Sequence, residues 1–158
     1  MPNNWKANMS EKQKKLAYLK EKKLSIHIEK DGVTIFESYD PMLKPLFVCL
    51  LEKRDELKGA TVVDKIVGRA AAMLSQLGEV KEVITPLASE TAAKVLQTAG
   101  IELFAEKMIP YIVNRDNTGM CPMEKMANES ESAEAFFEKL KGIIKVWDSY
   151  HCCDAARE

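Results

Sequence analysis

Histidine is nearly absent from this chain: among 158 residues only His27 and His151 carry an imidazole. Neither belongs to an HExxH motif and no paired CxxC occurs, which excludes a histidine-rich zinc centre and the common zinc modules. The glycine-rich phosphate loops GxGxxG and GxxxxGKS/T are missing too. With 7 Gly and 6 Pro, fibrous and low-complexity compositions are excluded. The longest strictly apolar stretch near the middle, Leu46 to Leu51, is far short of a membrane span. The opening NNWKANMSEKQKK has neither an apolar core nor a cleavage pattern, so no signal peptide is expected. Charge of one sign is lacking as well. The 23 basic and 24 acidic side chains nearly balance, so nothing draws the whole chain to nucleic acid or to an anionic membrane. The expectation is a cytoplasmic protein with no membrane and no nucleic-acid partner.

What is present suffices for a core. A chain that is 46% hydrophobic at this length can close one domain without metal or disulfide staples. Residues 10–148 are expected to form that domain, and 149–158 a C-terminal tail. The cysteines are Cys49, Cys121, Cys152 and Cys153, without the regular spacing of a disulfide framework. Cys49 lies in the apolar run and reads as a buried core thiol. Cys152 and Cys153 fall in the tail.

Local patterns place the elements. Ser10 is an N-cap for a helix from Glu11 to about Lys22, whose six lysines between 12 and 23 read as a solvated face. In LSIHIEKDGVTIFES the Asp31-Gly32 pair suits positive φ at both central positions, which predicts a two-residue hairpin. His27 falls on its polar or second face. A helix from about Pro45 to Leu57 is followed by Gly59. GATVVDKIVGRAAAMLSQLG reads as a loop or short strand feeding a helix that stops at Gly78. KEVIT is a strand, Ser89 caps a helix to about Thr98, and IELFAEKMIPYIVN is extended and bent near Pro110. Ala133 to Trp147 carries Phe136, Phe137, Leu140, Ile143, Ile144 and Trp147 at helical spacing, a stripe expected to pack on the sheet. The order α-β-β-α-α-β-α-β-α-α predicts an α/β fold, a three-layer α-β-α arrangement on a mixed sheet.

Two segments carry chemistry. In the first, Thr61 and Asp64 have the spacing of a capping pair, which puts Asp64 and Lys65 in the first turn of a helix. Gly68 then lies inside that helix, where it permits close approach of another backbone or a ligand, and Arg69 follows it. In the second, Pro122 suits the first helical position, so Cys121 sits at the N-cap with Glu124 in the first turn. A thiol there is open to a lowered pKa from the helix terminus and from cations such as Lys65 or Arg115. The loop before it offers Asn114, Arg115 and Asn117 as hydrogen-bond donors, and Arg115 can grip phosphate or carboxylate with two bonds.

The element order, with a motif at each of two helix starts, resembles the cytidine-deaminase-like fold. More closely, GATVVDKIVGRAAA, PYIVNRD and GMCPMEK resemble a family of small prokaryotic proteins of unassigned function with that fold, over roughly residues 12 to 127. Zinc deaminases present H-x-E at the first helix start and C-x-x-C at the second. Here the first reads Val63-Asp64-Lys65 and the second Cys121-Pro122-Met123-Glu124, so the zinc ligand set is incomplete and no metal is assigned. The resemblance implies a degenerate pocket that binds a nucleotide or nucleotide derivative through Asp64, Lys65, Gly68, Arg69, Asn114, Arg115, Asn117, Cys121 and Glu124. No cofactor beyond a nucleotide-type ligand is implied. Two other classes stay open on the residues: thiol redox or covalent chemistry at Cys121 with Asp64 and Lys65, and a noncatalytic interaction domain whose Trp147, Tyr150 and tail join copies of the chain as a homo-oligomer.

Overall fold

The computed structural model describes residues 9–40, 43–113 and 118–147, with the last four of these by backbone alone. Helix α1 (Glu11–Glu21) begins at the expected cap. Gln13 N–H donates to Ser10 Oγ at 3.2 Å and Ser10 N–H to Gln13 Oε1 at 3.0 Å, a reciprocal pair that satisfies two helix-start donors. Strands β1 (Ile26–Lys30) and β2 (Val33–Ser38) form the hairpin. Asp31 and Gly32 both take positive φ, 52° and 80°, as a turn matched to strand twist requires.

Helix α2 (Lys44–Leu57) comes next and buries Cys49 completely, where desolvation pushes the thiol pKa up to about 11. Strand β3 (Thr61–Asp64), helix α3 (Arg69–Leu77), strand β4 (Glu82–Ser89), helix α4 (Glu90–Thr98) and strand β5 (Glu102–Ile109) then alternate. Helices α5 (Pro122–Glu129) and α6 (Ala133–Trp147) close the described chain. The five strands run in the order β2-β1-β3-β4-β5, with β1 antiparallel to β2 and β3, and β3, β4 and β5 parallel. Strand alternation splits the core between the two faces. Ile26, Ile28, Val62 and Val83 join residues of α2 to α6, while Val63 and Ile84 meet Leu16 and Leu19 of α1. Helices therefore cover both faces of the mixed sheet, α1 on one side.

Two expectations are corrected. Thr61 and Asp64 are not a capping pair: both belong to β3, and α3 starts five residues after Asp64. The β-branched run Thr61-Val62-Val63 pairs with β1 on one side and β4 on the other, which outweighs the local capping pattern. The chain stays tied to β4 even beyond the strand, since Val67 N–H donates to Leu87 O at 2.9 Å and Ser89 N–H to Val67 O at 3.0 Å. Gly68 accordingly lies at the N-cap of α3, not inside it. Strand β4 is also longer than KEVIT. It runs through Pro86, whose missing N–H falls at a gap in the ladder between the Thr85–Ala105 and Leu87–Lys107 pairs.

The stripe of α6 buries Phe136, Phe137 and Leu140 as expected, but against α3 and α5, with Phe137 edge-on to Phe47 of α2 at 5.4 Å. The side chains of Ile144 and Trp147, and the whole tail, lie outside the described residues. Among those residues no helix is long and apolar enough to cross a membrane. Ser89 caps α4 by accepting the Ala92 N–H at 3.0 Å while fully buried. Ser89→Ala is expected to cost about 1 to 2 kcal/mol, read as a lower urea midpoint at unchanged slope.

Candidate functional site

The site forms where β3 ends and α3 and α5 begin. Asp64, the last residue of β3, is 6% exposed, and burial pushes its carboxyl up to about 7 against the weaker opposing pull of the Ile66 and Lys65 backbone N–H groups. Ile66 N–H lies 3.4 Å from Asp64 Oδ1. Across from it, Pro122 starts α5 with Cys121 at the N-cap, as the spacing of the second segment implied. Cys121 is 2% exposed. Asp64, Gly68, Cys121 and Glu124 line one cavity of about 40 Å³, so both chemical segments do meet. That space admits a few waters or one small polar group, not a nucleoside.

Glu124 decides the character of this cavity. Its carboxylate accepts the Arg69 N–H at 2.7 Å and the Ala70 N–H at 2.8 Å, which caps α3 from a neighbouring helix. Burial raises its pKa, opposed by those two N–H groups and by the Arg69 charge. A β-carbon on Gly68 would lie 2.4 to 2.7 Å from the three carboxylate atoms of Glu124. The close approach expected at Gly68 is therefore made by Glu124, and glycine is what leaves room for it.

Lys65 does not share a wall with Asp64. Consecutive residues leaving a strand point to opposite faces, and Lys65 lines a separate cleft on the α1 side while Asp64 faces the inner cavity. Arg69 opens α3, and its Nε is buried with no hydrogen-bond partner among the described residues. Asn114, Arg115 and Asn117 lie outside the described residues. His27, on the second face of β1 as its alternation implied, is a buried structural centre rather than a solvated side chain. It is 6% exposed, with Nδ1 2.7 Å from Glu37, Nε2 3.2 Å from Glu29, and its ring edge-on to Tyr18 at 5.0 Å. Alternation in β1 put it opposite Ile26 and Ile28; only the docking of α1 there turns that polar face into a buried one.

The donor set does not fit the zinc centre that the deaminase resemblance implies. The resemblance implies that Glu124 stands where zinc deaminases have a cysteine; its two oxygens are committed to the start of α3. Among the described residues no group of three His, Cys, Asp or Glu side chains is disposed to hold a metal.

These features define an α/β protein with an inner carboxylate- and thiol-lined cavity where two helices start at the carboxyl edge of a mixed sheet. The chain belongs to the family described as Domain of unknown function (DUF1893), whose model matches residues 14–144. It is similar to the DUF1893 family protein TM1506 of Thermotoga maritima, at 29% identity and a TM-score of 0.74, over 85% of this chain and 92% of that one. A chain of Acinetobacter baumannii RibD is similar over 83% of this chain and 41% of its own, at 17% identity and a TM-score of 0.49. No curated protein matches.

Proposed function

We propose that the protein binds a nucleotide or nucleotide derivative at the carboxyl edge of β3 and β4, without zinc-dependent deamination. The observation that carries this reading is Arg69. A buried guanidinium nitrogen without a partner among the described residues, at the start of α3, is a donor in want of an acceptor. A phosphate or carboxylate oxygen supplies one, and a helix start is a favourable place for it. The placement also agrees with the general seat of ligands in open α/β sheets, outside the carboxyl ends of the strands. Since the inner cavity holds a single small group, the bulk of such a ligand would lie beyond it, with Asp64 and Cys121 at its deepest point.

Thiol chemistry at Cys121 is the weaker reading, because a sulfur in a residue 2% exposed needs the site to open before it can exchange or oxidise. The test of the main reading is a thermal-shift titration with a panel of nucleoside mono- and diphosphates. At least one is expected to raise Tm in a concentration-dependent way, and Arg69→Ala is expected to weaken that ligand about tenfold or more with little change in the stability of the free protein. No shift with any of them at millimolar concentration contradicts the reading.

A further inference from the structure

Helix α1 packs on a small core of its own. Leu16, Leu19 and, in the turn after the helix, Leu24 meet Val63, Ile84 and Phe104 of the sheet. None of these belongs to the larger cluster that joins the opposite sheet face to α2 through α6. As the first described element, α1 can leave the sheet without drawing another described helix with it. The ion pairs along its rim are long (Lys12 to Glu82 and to Glu102, both 3.7 Å) or exposed (Lys20 to Glu106), and such pairs contribute little. Off the sheet, a helix of 11 residues is marginal in water.

A polar ring completes the contact. Lys15 Nζ and His27 Nε2 both reach Glu29 Oε1, at 2.8 and 3.2 Å. The Tyr18 hydroxyl and His27 Nδ1 both reach Glu37 Oε2, each at 2.7 Å. Helix α1 supplies the two ends, Lys15 and Tyr18, and the β1–β2 hairpin supplies the middle. Both ring nitrogens of His27 face carboxylates, which suits an imidazolium donating from each. Lys15 and His27 then balance Glu29 and Glu37. Around the ring, Lys22 acts on Glu37 and Tyr39 on Tyr18. Strand β3 sets only Val63 and Thr61 beside His27 and Glu29, and Glu82 beyond them is held by Thr61 and Lys12.

We propose that α1 is an acid-released latch: protonation of Glu29 and Glu37 opens the ring, and the helix leaves the sheet while the larger core stays folded. Burial raises Glu29, but Lys15 and His27 outweigh it. For Glu37 the Tyr18 hydroxyl leads in lowering the carboxyl, against burial and together with His27. Both glutamates thus hold a proton less readily when α1 is docked. Their support for docking is present above the ordinary value of 4.5 and is lost as pH falls below it. In acid the ring keeps two cations, Lys15 and His27, and no anion. His27 is 6% exposed, and a buried cation stripped of its partners disfavours the docked state. Release returns it to water and uncovers the apolar face of Val63, Ile84 and Phe104.

Hydrogen exchange read by mass spectrometry, corrected for the intrinsic rate at each pH, tests the latch. Between about pH 6.5 and about pH 3.5, residues 11–21 are expected to lose about tenfold or more in protection while α3 keeps its own. The double variant Glu29→Gln, Glu37→Gln is expected to show the same loss in α1 already at about pH 6.5, with α3 again unchanged. Glu106→Gln, which removes only the exposed partner of Lys20, should behave as the wild type at both pH values. Three results each overturn the proposal: α1 protection that is unchanged in acid, α1 and α3 opening together, or a double variant whose α1 stays fully protected at neutral pH.

Discussion

Gly68→Ala is expected to remove about 3 kcal/mol of folding stability, although a glycine-to-alanine change at an extended position ordinarily gains a few tenths. The backbone at Gly68 has φ −97°, which any residue adopts, so the cost does not come from conformation. It comes from the carboxylate of Glu124, 2.4 to 2.7 Å from the new β-carbon. A glutamate tip would normally swing aside at little cost. This one is 4% exposed and bound to the Arg69 and Ala70 N–H groups, so moving it breaks two charge-assisted bonds and strands both partners in the interior. Each such bond contributes roughly 1.5 to 3 kcal/mol.

Two controls separate this mechanism from others. In a Glu124→Ala background the same Gly68→Ala change should cost almost nothing, a non-additivity seen only when the two residues collide. Gly142→Ala in α6, with nothing within 4 Å of the new atom, should stabilise by up to about 1 kcal/mol. A loss below about 0.5 kcal/mol for Gly68→Ala in the wild-type background would show that Glu124 does not hold the position described.

Asp64→Asn is expected to stabilise the protein above neutrality and to have little effect in acid. Burial disfavours the charged form and pushes the folded carboxyl from its ordinary 3.8 up to about 7. A raised carboxyl pKa favours the protonated fold. Its contribution is fully present below about pH 4, declines as pH rises, and is lost above about pH 7. The shift corresponds to at most about 4 kcal/mol. Asparagine stays neutral throughout but gives up one acceptor oxygen, so a gain of about 1 to 3 kcal/mol is expected at about pH 8. Glu29 and Glu37 titrate in the opposite sense. Burial raises Glu29, but Lys15 and His27 outweigh it and hold it below the usual range, and the Tyr18 hydroxyl does the same for Glu37. Both are unchanged in the variant, so their effect cancels in the difference. Urea unfolding of the two proteins between about pH 4 and pH 8 measures it; a difference independent of pH would contradict the buried carboxyl.

Features of the fold set by neighbouring residues were legible in the chain. Ser10 with Gln13, the Asp31-Gly32 turn, Ser89 before α4 and Pro122 at the start of α5 are each fixed by backbone donors or dihedrals a few residues away. Strand β3 was not. All four of its residues are buried, so it shows no alternation, and Thr61 with Asp64 imitates a helix cap; only pairing with β1 and β4 decides between them. That one ambiguity propagated into the site. Reading Thr61 to Asp64 as a strand would have sent Lys65 to the face opposite Asp64 by alternation alone. Glu124 could be placed in a first turn from its distance to Pro122, but its bond to a helix 54 residues back has no local signature.

Native mass spectrometry of the freshly purified protein, repeated after denaturation, tests the ligand-binding account most directly. A mass in the nucleotide range that is held under native conditions and released on denaturation, with no stoichiometric zinc, is the expected result. Stoichiometric zinc, or a bare protein mass that no nucleotide at millimolar concentration alters, would contradict it.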